Sequence, residues 1–314
     1  MAINPSEIRV AVLLGGRSAE REVSLHSGEQ VSSALETAGF DVVSIDTGAD
    51  DFVAELVAAE VDVVYIALHG RFGEDGTIQG LCELLDLPYT GSGVLASALA
   101  MDKVMSKLFF TQAGLATPDY VVLTKGELYD LDAVVEALGS KVVVKPACEG
   151  SSVGMTIVHD ETELPDAVEK AFEFDRQVLV ERFVAGTEVT VAVLGNEEAV
   201  ALPTLEIEPE NEFYDYDSKY VPGMSRHIIP ARVPDEAAEE CQRLAVQAHK
   251  TLGCQGLTRA DTIVEPNGSV WLLEVNTVPG MTSTSLVPDA ARARGIEFPD
   301  LCRMVVELAL EPEL

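Results

Sequence analysis

Arg259-Ala260-Asp261 and Glu274-Val275-Asn276 flank the turn Pro266-Asn267-Gly268, and that spacing can build a cation site on a β-hairpin. A two-residue Asn267-Gly268 turn sets Asp261 opposite Glu274 and Arg259 opposite Asn276, with all four side chains on one face of the hairpin. Two directly opposed carboxylates repel and weaken a sheet unless something positive lies between them. Hard oxygen donors of this kind suit Mg²⁺ or Mn²⁺, with nucleotide phosphates completing the coordination shell. The same pattern also fits a solvated hairpin face on which Asn-Gly is only a turn.

A second group of residues could hold phosphate. Lys145 ends the run Lys141-Val-Val-Val-Lys145-Pro146, which continues into Ala147-Cys148-Glu149-Gly150-Ser151-Ser152-Val153-Gly154. A lysine at a strand end delivers a point charge, and small residues after it let backbone N–H groups approach phosphate oxygens closely. The residues alone leave open a Ser/Gly hairpin with an incidental lysine. The chain has only eight lysines, however, and three of them stand in glycine-rich or small-residue loops.

The elements that must position these groups follow from periodicity. Residues 8–14, 41–45 and 61–68 are short β-branched runs separated by helical patterns at 21–38 and 50–59, which predicts βαβαβ with a parallel sheet. Ligands in such sheets gather at the carboxyl ends of the strands, here Gly15-Gly16-Arg17-Ser18-Ala19-Glu20 and the segment from His69 to Gly76. From Gly91 the pattern becomes α+β. It predicts a helix carrying Met101-Asp102-Lys103, strands near 120–123, 141–145, 153–158 and 177–182, and a helix at 161–174. Strands at 187–195 and 199–205 precede a long polar stretch from Glu206 to Arg226, then come a helix at 235–252, the hairpin and two closing helices. The polar stretch is long and rich in Tyr, which suits a functional lid more than an idle connection.

Bulk composition bounds the function. At 314 residues and 47% hydrophobic the chain can bury more than one core. A formal net charge of −32 argues against a nucleic-acid or anionic-membrane partner, both of which need a basic surface. No apolar run approaches the roughly 20 residues of a membrane span, and the polar start at 1–7 does not read as a signal peptide. The five cysteines include no Cys-x-x-Cys pair, which disfavours zinc or a disulfide framework and fits a reducing, cytoplasmic location.

The motifs Leu14-Gly-Gly-Arg-Ser-Ala-Glu-Arg-Glu-Val-Ser24, Ala67-Leu-His-Gly70, Tyr89-Thr-Gly-Ser-Gly93, Met101-Asp-Lys103, Glu149-Gly-Ser-Ser-Val-Gly154, Tyr214-Asp-Tyr216, Lys219-Tyr220 and Glu274-Val-Asn-Thr-Val-Pro-Gly-Met-Thr-Ser283 together resemble the D-alanine–D-alanine ligase family of the ATP-grasp superfamily. The resemblance spans nearly the whole chain, in family order. It implies an α/β fold of three-domain ATP-grasp architecture. The expected domains are a Rossmann-like parallel-sheet domain at 1–92, a central α+β domain at 93–185, and a C-terminal α+β domain at 186–314 with a lid loop at 206–226. ATP would lie clamped between the second and third.

The resemblance also implies roles. Lys103 and Lys145 would contact the ATP phosphates and Lys219 the γ-phosphate, the strand segment Glu181, Arg182, Phe183 and Val184 would meet adenine largely through backbone, and Glu188 would bond the ribose. Asp261, Glu274 and Asn276 would hold two Mg²⁺ or Mn²⁺ ions. Glu20 would bind the ammonium of a first D-alanine, with His69 nearby. Arg259 and the Gly280 N–H would stabilise an oxyanion, and Ser285 with the Leu286 backbone would bind the second carboxylate. Glu20, Ser151 and Tyr220 would tie the lid down. Arg259→Ala is expected to lower turnover by about 10²–10³, nearly abolishing it, while sparing the fold. Arg182 replaces a common family lysine, and Ala260 and Val278 also depart from the usual residues. Cys148 has no implied role. A homodimer is the family expectation. Rival readings are a ligase using D-lactate, which Tyr220 disfavours because the resemblance ties it to an amine nucleophile, a ligase using D-serine, and an ATP-binding protein without chemistry.

Overall fold

The computed structural model describes residues 3–150, 153–209, 225–283 and 285–311. Strands β1 (Arg9–Leu14), β2 (Asp41–Asp46) and β3 (Val63–Ile66) form a parallel sheet in the order β2-β1-β3. Val10 to Leu14 are all buried, as expected of a parallel strand covered on both faces. Helices α1 (Arg21–Thr37) and α2 (Phe52–Ala58) make the crossovers, and α3 (Thr77–Leu84) follows β3. The predicted βαβαβ unit is therefore present.

The next helix is broken where the sequence pattern suggested continuity. Helix α4 (Val94–Met101) ends at Asp102, whose extended backbone starts α5 (Lys103–Gln112) and whose carboxylate accepts from the Val104 and Met105 N–H groups. That cap satisfies donors that a first turn leaves orphaned and points Lys103 out of the joint. Strands β4 (Tyr120–Thr124), β5 (Val142–Pro146), β6 (Thr156–Val158) and β7 (Gln177–Arg182) form an antiparallel sheet, β4-β7-β5-β6. Helices α6 (Leu131–Leu138) and α7 (Leu164–Ala171) pack on one face of it, with Val142, Val144, Val178 and Val180. Alternation along β5 and β7 then places Lys145 and Glu181 on the opposite face. The sequence reading missed α6 and overextended α7, which is preceded by a separate short 3₁₀ turn, Glu161–Glu163.

Strands β8 (Thr187–Leu194), β9 (Val200–Ala201), β10 (Leu205–Pro209), β11 (Ser225–Ile228), β12 (Leu257–Val264) and β13 (Val270–Asn276) make the third sheet, entirely antiparallel. Helix α8 (Asp235–Leu252) covers it with Ala237, Cys241, Leu244, Ala245, Ala248 and Leu252, a helical stripe, and stops at Gly253 in the left-handed region. The polar stretch 206–226 is not all loop, because its two ends pair as β10 and β11 from Glu206↔Ile228 to Pro209↔Ser225. Lid residues 210–224 lie outside the described set. The closing helices α9 (Leu286–Ala293) and α10 (Phe298–Ala309) return to the first sheet: Val287, Leu301 and Val305 share one core with Val10, Val12 and Leu35.

The hairpin corrects the sequence reading in one respect. Glu265 N–H donates to Ser269 O at 2.9 Å and Gly268 N–H to Glu265 O at 2.9 Å, so the loop holds three residues, Pro266-Asn267-Gly268, with Gly268 at φ 87°. That geometry suits a turn ending in a left-handed glycine and shifts the pairing by one, giving Thr262↔Leu272. A bulge at Leu273 then restores Asp261↔Glu274 and Arg259↔Asn276. The expected pairing at the site holds because two one-residue shifts cancel.

Candidate active site

Two cavities of about 430 Å³ each meet along the β12–β13 face, and Lys103, Glu149 and Glu274 line both. The first lies toward the parallel sheet and takes Glu20, His69, Arg259, Asn276, Gly280, Ser285 and Leu286. The second lies between the two antiparallel sheets and takes Lys145, Glu181, Arg182, Phe183, Val184, Glu188 and Asp261. Every candidate residue among the described ones thus borders one cavity or the other. Ser151, Lys219 and Tyr220 lie outside the described residues.

In the first cavity Glu20 opens α1, and two glycines crowd its carboxylate. A Cβ at Gly70 would stand 2.6 Å from Glu20 Oε2 and one at Gly150 3.2 Å from it, so the loop after β5 reaches the end of the parallel sheet. His69 is held on both sides, its Nδ1 3.3 Å from Glu74 Oε1 and its Nε2 3.2 Å from Ser27 Oγ. Burial pushes the Glu74 carboxyl up, against the opposing pull of His69. Ser285 precedes α9, and its Oγ accepts from Thr282 N–H at 3.1 Å rather than capping the helix itself. Ser285 and Leu286, where α9 begins, both line this cavity.

The hairpin face carries the strongest charges. Arg259 Nε and Nη2 donate to Asp261 Oδ1 and Oδ2 at 2.9 and 2.7 Å, and Thr190 Oγ1 donates to Oδ1 at 2.6 Å. Lys103 Nζ stands 3.5 Å from Glu274 Oε2 and donates to Glu149 O at 2.7 Å. The opposed carboxylates therefore do have cations beside them, Arg259 and Lys103. The ion pair also adds a stability cost to the expected loss of turnover: Arg259 and Asp261 are both buried, so removing the guanidinium leaves the carboxylate without its cation and should destabilise the fold.

These residues fit a divalent ion that brings its own phosphate ligands. Among the described residues no group of three His, Cys, Asp or Glu side chains converges on one point. Asp261, Glu274 and Asn276 supply two carboxylates and an amide on one face, and Asp261 Oδ2 keeps a lone pair after its bond to Arg259. An all-oxygen set this short leaves positions for phosphate oxygens and water, the habit of Mg²⁺.

In the second cavity Lys145 Nζ lies 2.6 Å from Glu181 Oε2. Burial opposes the charge on Lys145, but the Glu181 and Glu274 carboxylates outweigh it and hold the lysine above its usual range. Glu181 itself is buried, a cost that the ammoniums of Lys107 and Lys145 outweigh, keeping it below the usual carboxylate range. Its side chain thus faces lysines, and only its backbone is available for the role expected of this strand. Arg182 stacks over Trp271, its guanidinium carbon 4.7 Å from the ring centroid, so this departure from a lysine has a packing partner of its own. Cys148 carries no sign of reactivity, since burial pushes its thiol up to about 12.

Sequence reasoning missed two residues. Leu273 lines the second cavity only because the bulge turns it there. Lys107, on α5 four residues after Lys103, is fully buried against Glu181, and its sequence neighbourhood carries no motif that singles it out.

A nucleotide-sized cleft between two antiparallel sheets, with Lys145 on one sheet, Lys103 at a helix start beside it and paired acids on the other sheet, defines the ATP-grasp class of enzymes. Comparison with known proteins narrows this. The family model for the C-terminus of D-ala D-ala ligase matches residues 109–307, and that for its N-terminus matches 47–92. A D-alanine–D-alanine ligase from Pelotomaculum thermopropionicum is 52% identical over 311 residues, covering 97% of each chain. One from Halalkalibacterium halodurans is 50% identical, over 97% of this chain and 100% of its own length. The crystal structure of D-alanine–D-alanine ligase from Bacillus anthracis complexed with ATP superposes with a TM-score of 0.84 at 34% identity, covering 96% of this chain and 97% of that one. The chain belongs to the D-alanine–D-alanine ligase family.

Proposed function

We propose that the chain joins two D-alanines into D-alanyl-D-alanine with cleavage of ATP to ADP and phosphate, supplying a peptidoglycan precursor. The observation that carries this reading is the junction of the two cavities at Lys103 and Glu274, which brings a phosphate-holding cleft against a small polar pocket containing Glu20 and Arg259. In the proposal ATP occupies the second cavity, its adenine along the backbone of Glu181, Arg182, Phe183 and Val184, its ribose at Glu188, and its phosphates at Lys103 and Lys145. Lys219 would reach the γ-phosphate from the lid.

The first D-alanine sits with its ammonium at Glu20, beside the fixed ring of His69. Its carboxylate attacks the γ-phosphorus, releasing ADP and leaving an acyl phosphate. The second D-alanine binds by its carboxylate at Ser285 and the Leu286 N–H, and its amine attacks the acyl carbon. Arg259 and the Gly280 N–H stabilise the tetrahedral oxyanion, which collapses with loss of phosphate. Such preorganised donors act strongly because they need not reorient as charge develops. Ser151 and Tyr220 would join Glu20 in holding the lid closed, excluding water from the acyl phosphate.

Asp261, Glu274 and Asn276 would hold two Mg²⁺ or Mn²⁺ ions, which when bound neutralise charge on the transferring phosphoryl group. The ranges 1–92, 93–185 and 186–314 belong to the same proposal, and each contains one of the three sheets, which supports it. A cytoplasmic homodimer is proposed by family likeness. No helix among the described residues is long and apolar enough to cross a membrane, in keeping with that location.

The test is phosphate release from ATP with D-alanine alone and with D-lactate or D-serine in parallel. Release with D-alanine alone, yielding the dipeptide, is expected. Release only in the mixed reactions would make the chain a depsipeptide or mixed ligase, and no release in any would overturn the enzymatic reading.

A further inference from the structure

Lys107 is the least expected residue of the nucleotide cleft because it never reaches it. It lies on the buried side of Glu181, fully enclosed, and donates to Thr117 Oγ1 at 2.5 Å with its ammonium 5.5 Å from the Tyr120 ring centroid. Glu181 uses its two oxygens on two lysines: Oε1 faces Lys107 and Oε2 lies 2.6 Å from Lys145. Lys145 and Glu181 border the cavity, whereas Lys107 does not. The arrangement is a line of alternating charge running from the α5 packing layer to the wall where nucleotide phosphates would lie.

A lysine buried at this depth is costly, and burial lowers Lys107 to about 8. A helix contacting a sheet could fill the same volume with methionine or leucine. What the ammonium adds is charge. Without it, Glu181 and Lys145 would form a neutral pair, and the cleft wall would offer the phosphates little net field. Glu274 also acts on Lys145 and is itself paired with Lys103, so the other lysine of the cleft does not supply the missing charge. With Lys107 present, the three groups carry one net positive charge, and the Glu181 carboxylate is shared rather than spent on Lys145 alone.

We infer that Lys107 is a positioning residue for nucleotide binding, one that balances Glu181 from behind so that Lys145 presents an uncancelled positive charge to the ATP phosphates. The inference rests on placing ATP in this cleft and adds a residue that does not touch it. It also explains why Glu181, on a strand expected to meet adenine by its backbone, has an acidic side chain: the carboxylate fixes the Lys145 ammonium in the cavity wall, and Lys107 makes that compatible with anion binding.

The test is a three-variant set, Lys107→Met, Glu181→Gln and the double variant. Each is read by calorimetric binding of ATP with Mg²⁺, by thermal unfolding, and by kcat and KM for ATP. Net charge in the cluster falls from one to zero in Lys107→Met and returns to one in the double variant. Lys107→Met should weaken ATP binding about tenfold or more with a smaller change in kcat, since one charge-assisted contact to phosphate is largely cancelled. The double variant should recover to within about threefold of wild type, because affinity follows net charge rather than the identity of the buried pair. A purely structural role predicts the reverse, a double variant at least as impaired as Lys107→Met. That result, or a folded Lys107→Met with unchanged ATP affinity, overturns the inference. If Lys107→Met alone does not fold, the double variant decides by its affinity, and failure of both to fold also overturns it. Wild-type protein that binds ATP but releases no phosphate with D-alanine would count against the ligase reading and leave the charge comparison intact.

Discussion

Replacing Arg259 with alanine perturbs two things that the geometry separates. The guanidinium is buried and holds both oxygens of a buried carboxylate, at 2.9 and 2.7 Å. Breaking such a pair by removing one partner costs about 3–5 kcal/mol, because the remaining charge is left without compensation. Thr190 still donates to Asp261 Oδ1 at 2.6 Å, and the adjoining cavity admits water, which places the cost near the lower end of that range. In a chain of 314 residues about 3 kcal/mol lowers the unfolding midpoint by about 4–5 °C. Turnover should fall by about 10²–10³, the usual effect of losing one oxyanion donor. The assay pairs differential scanning fluorimetry with D-alanine-dependent phosphate release. The double variant Arg259→Ala/Asp261→Asn should regain most of the lost midpoint, since no orphan carboxylate remains, yet stay inactive. An unchanged midpoint in the single variant would show that the ion pair contributes nothing to stability. Unchanged turnover would remove Arg259 from the reaction altogether.

Two further outcomes follow from the structure. His249, buried on α8 with its Nδ1 2.8 Å from Thr258 Oγ1, is lowered by burial to about 4 from its ordinary 6.5. The unfolded chain therefore takes up this proton first as pH falls, and about 2 kcal/mol of stability should be lost between pH 6.5 and about 5. His249→Gln should flatten that part of the midpoint-versus-pH curve, and an equal slope in wild type and variant would exclude this linkage. Gly70 has φ 67°, and a Cβ there would stand 2.6 Å from Glu20 Oε2. Gly70→Ala should cost about 1–2 kcal/mol from the left-handed backbone and, by displacing Glu20, raise KM for the first D-alanine more than KM for ATP. Equal changes in the two constants would detach Glu20 from the amino-acid subsite.

Much of the fold was legible because its signals are local. The parallel unit shows in β-branched runs with helical patterns between them, and α8 shows in its stripe from Ala237 to Leu252 with a glycine stop. The break at Asp102 was hidden because an aspartate between two helical patterns reads equally as helix surface and as a cap. The facing of Asp261 with Glu274 was read correctly from a turn that is in fact one residue longer, and the Leu273 bulge absorbed the difference. A bulge leaves little trace in a single sequence, since its cause is how the strand packs rather than which residues it contains.

By itself the sequence determined the order of elements, the acids and arginine of the hairpin face, and, through motifs in family order, the class of chemistry. These are properties of residues near one another along the chain. Only the tertiary structure decided that Lys107 lies behind Glu181, that Gly150 closes on Glu20, and that α9 and α10 complete the core of the first sheet. Each of those contacts joins segments far apart in sequence, and the energy that selects them comes from burying apolar surface around them, which no local pattern records.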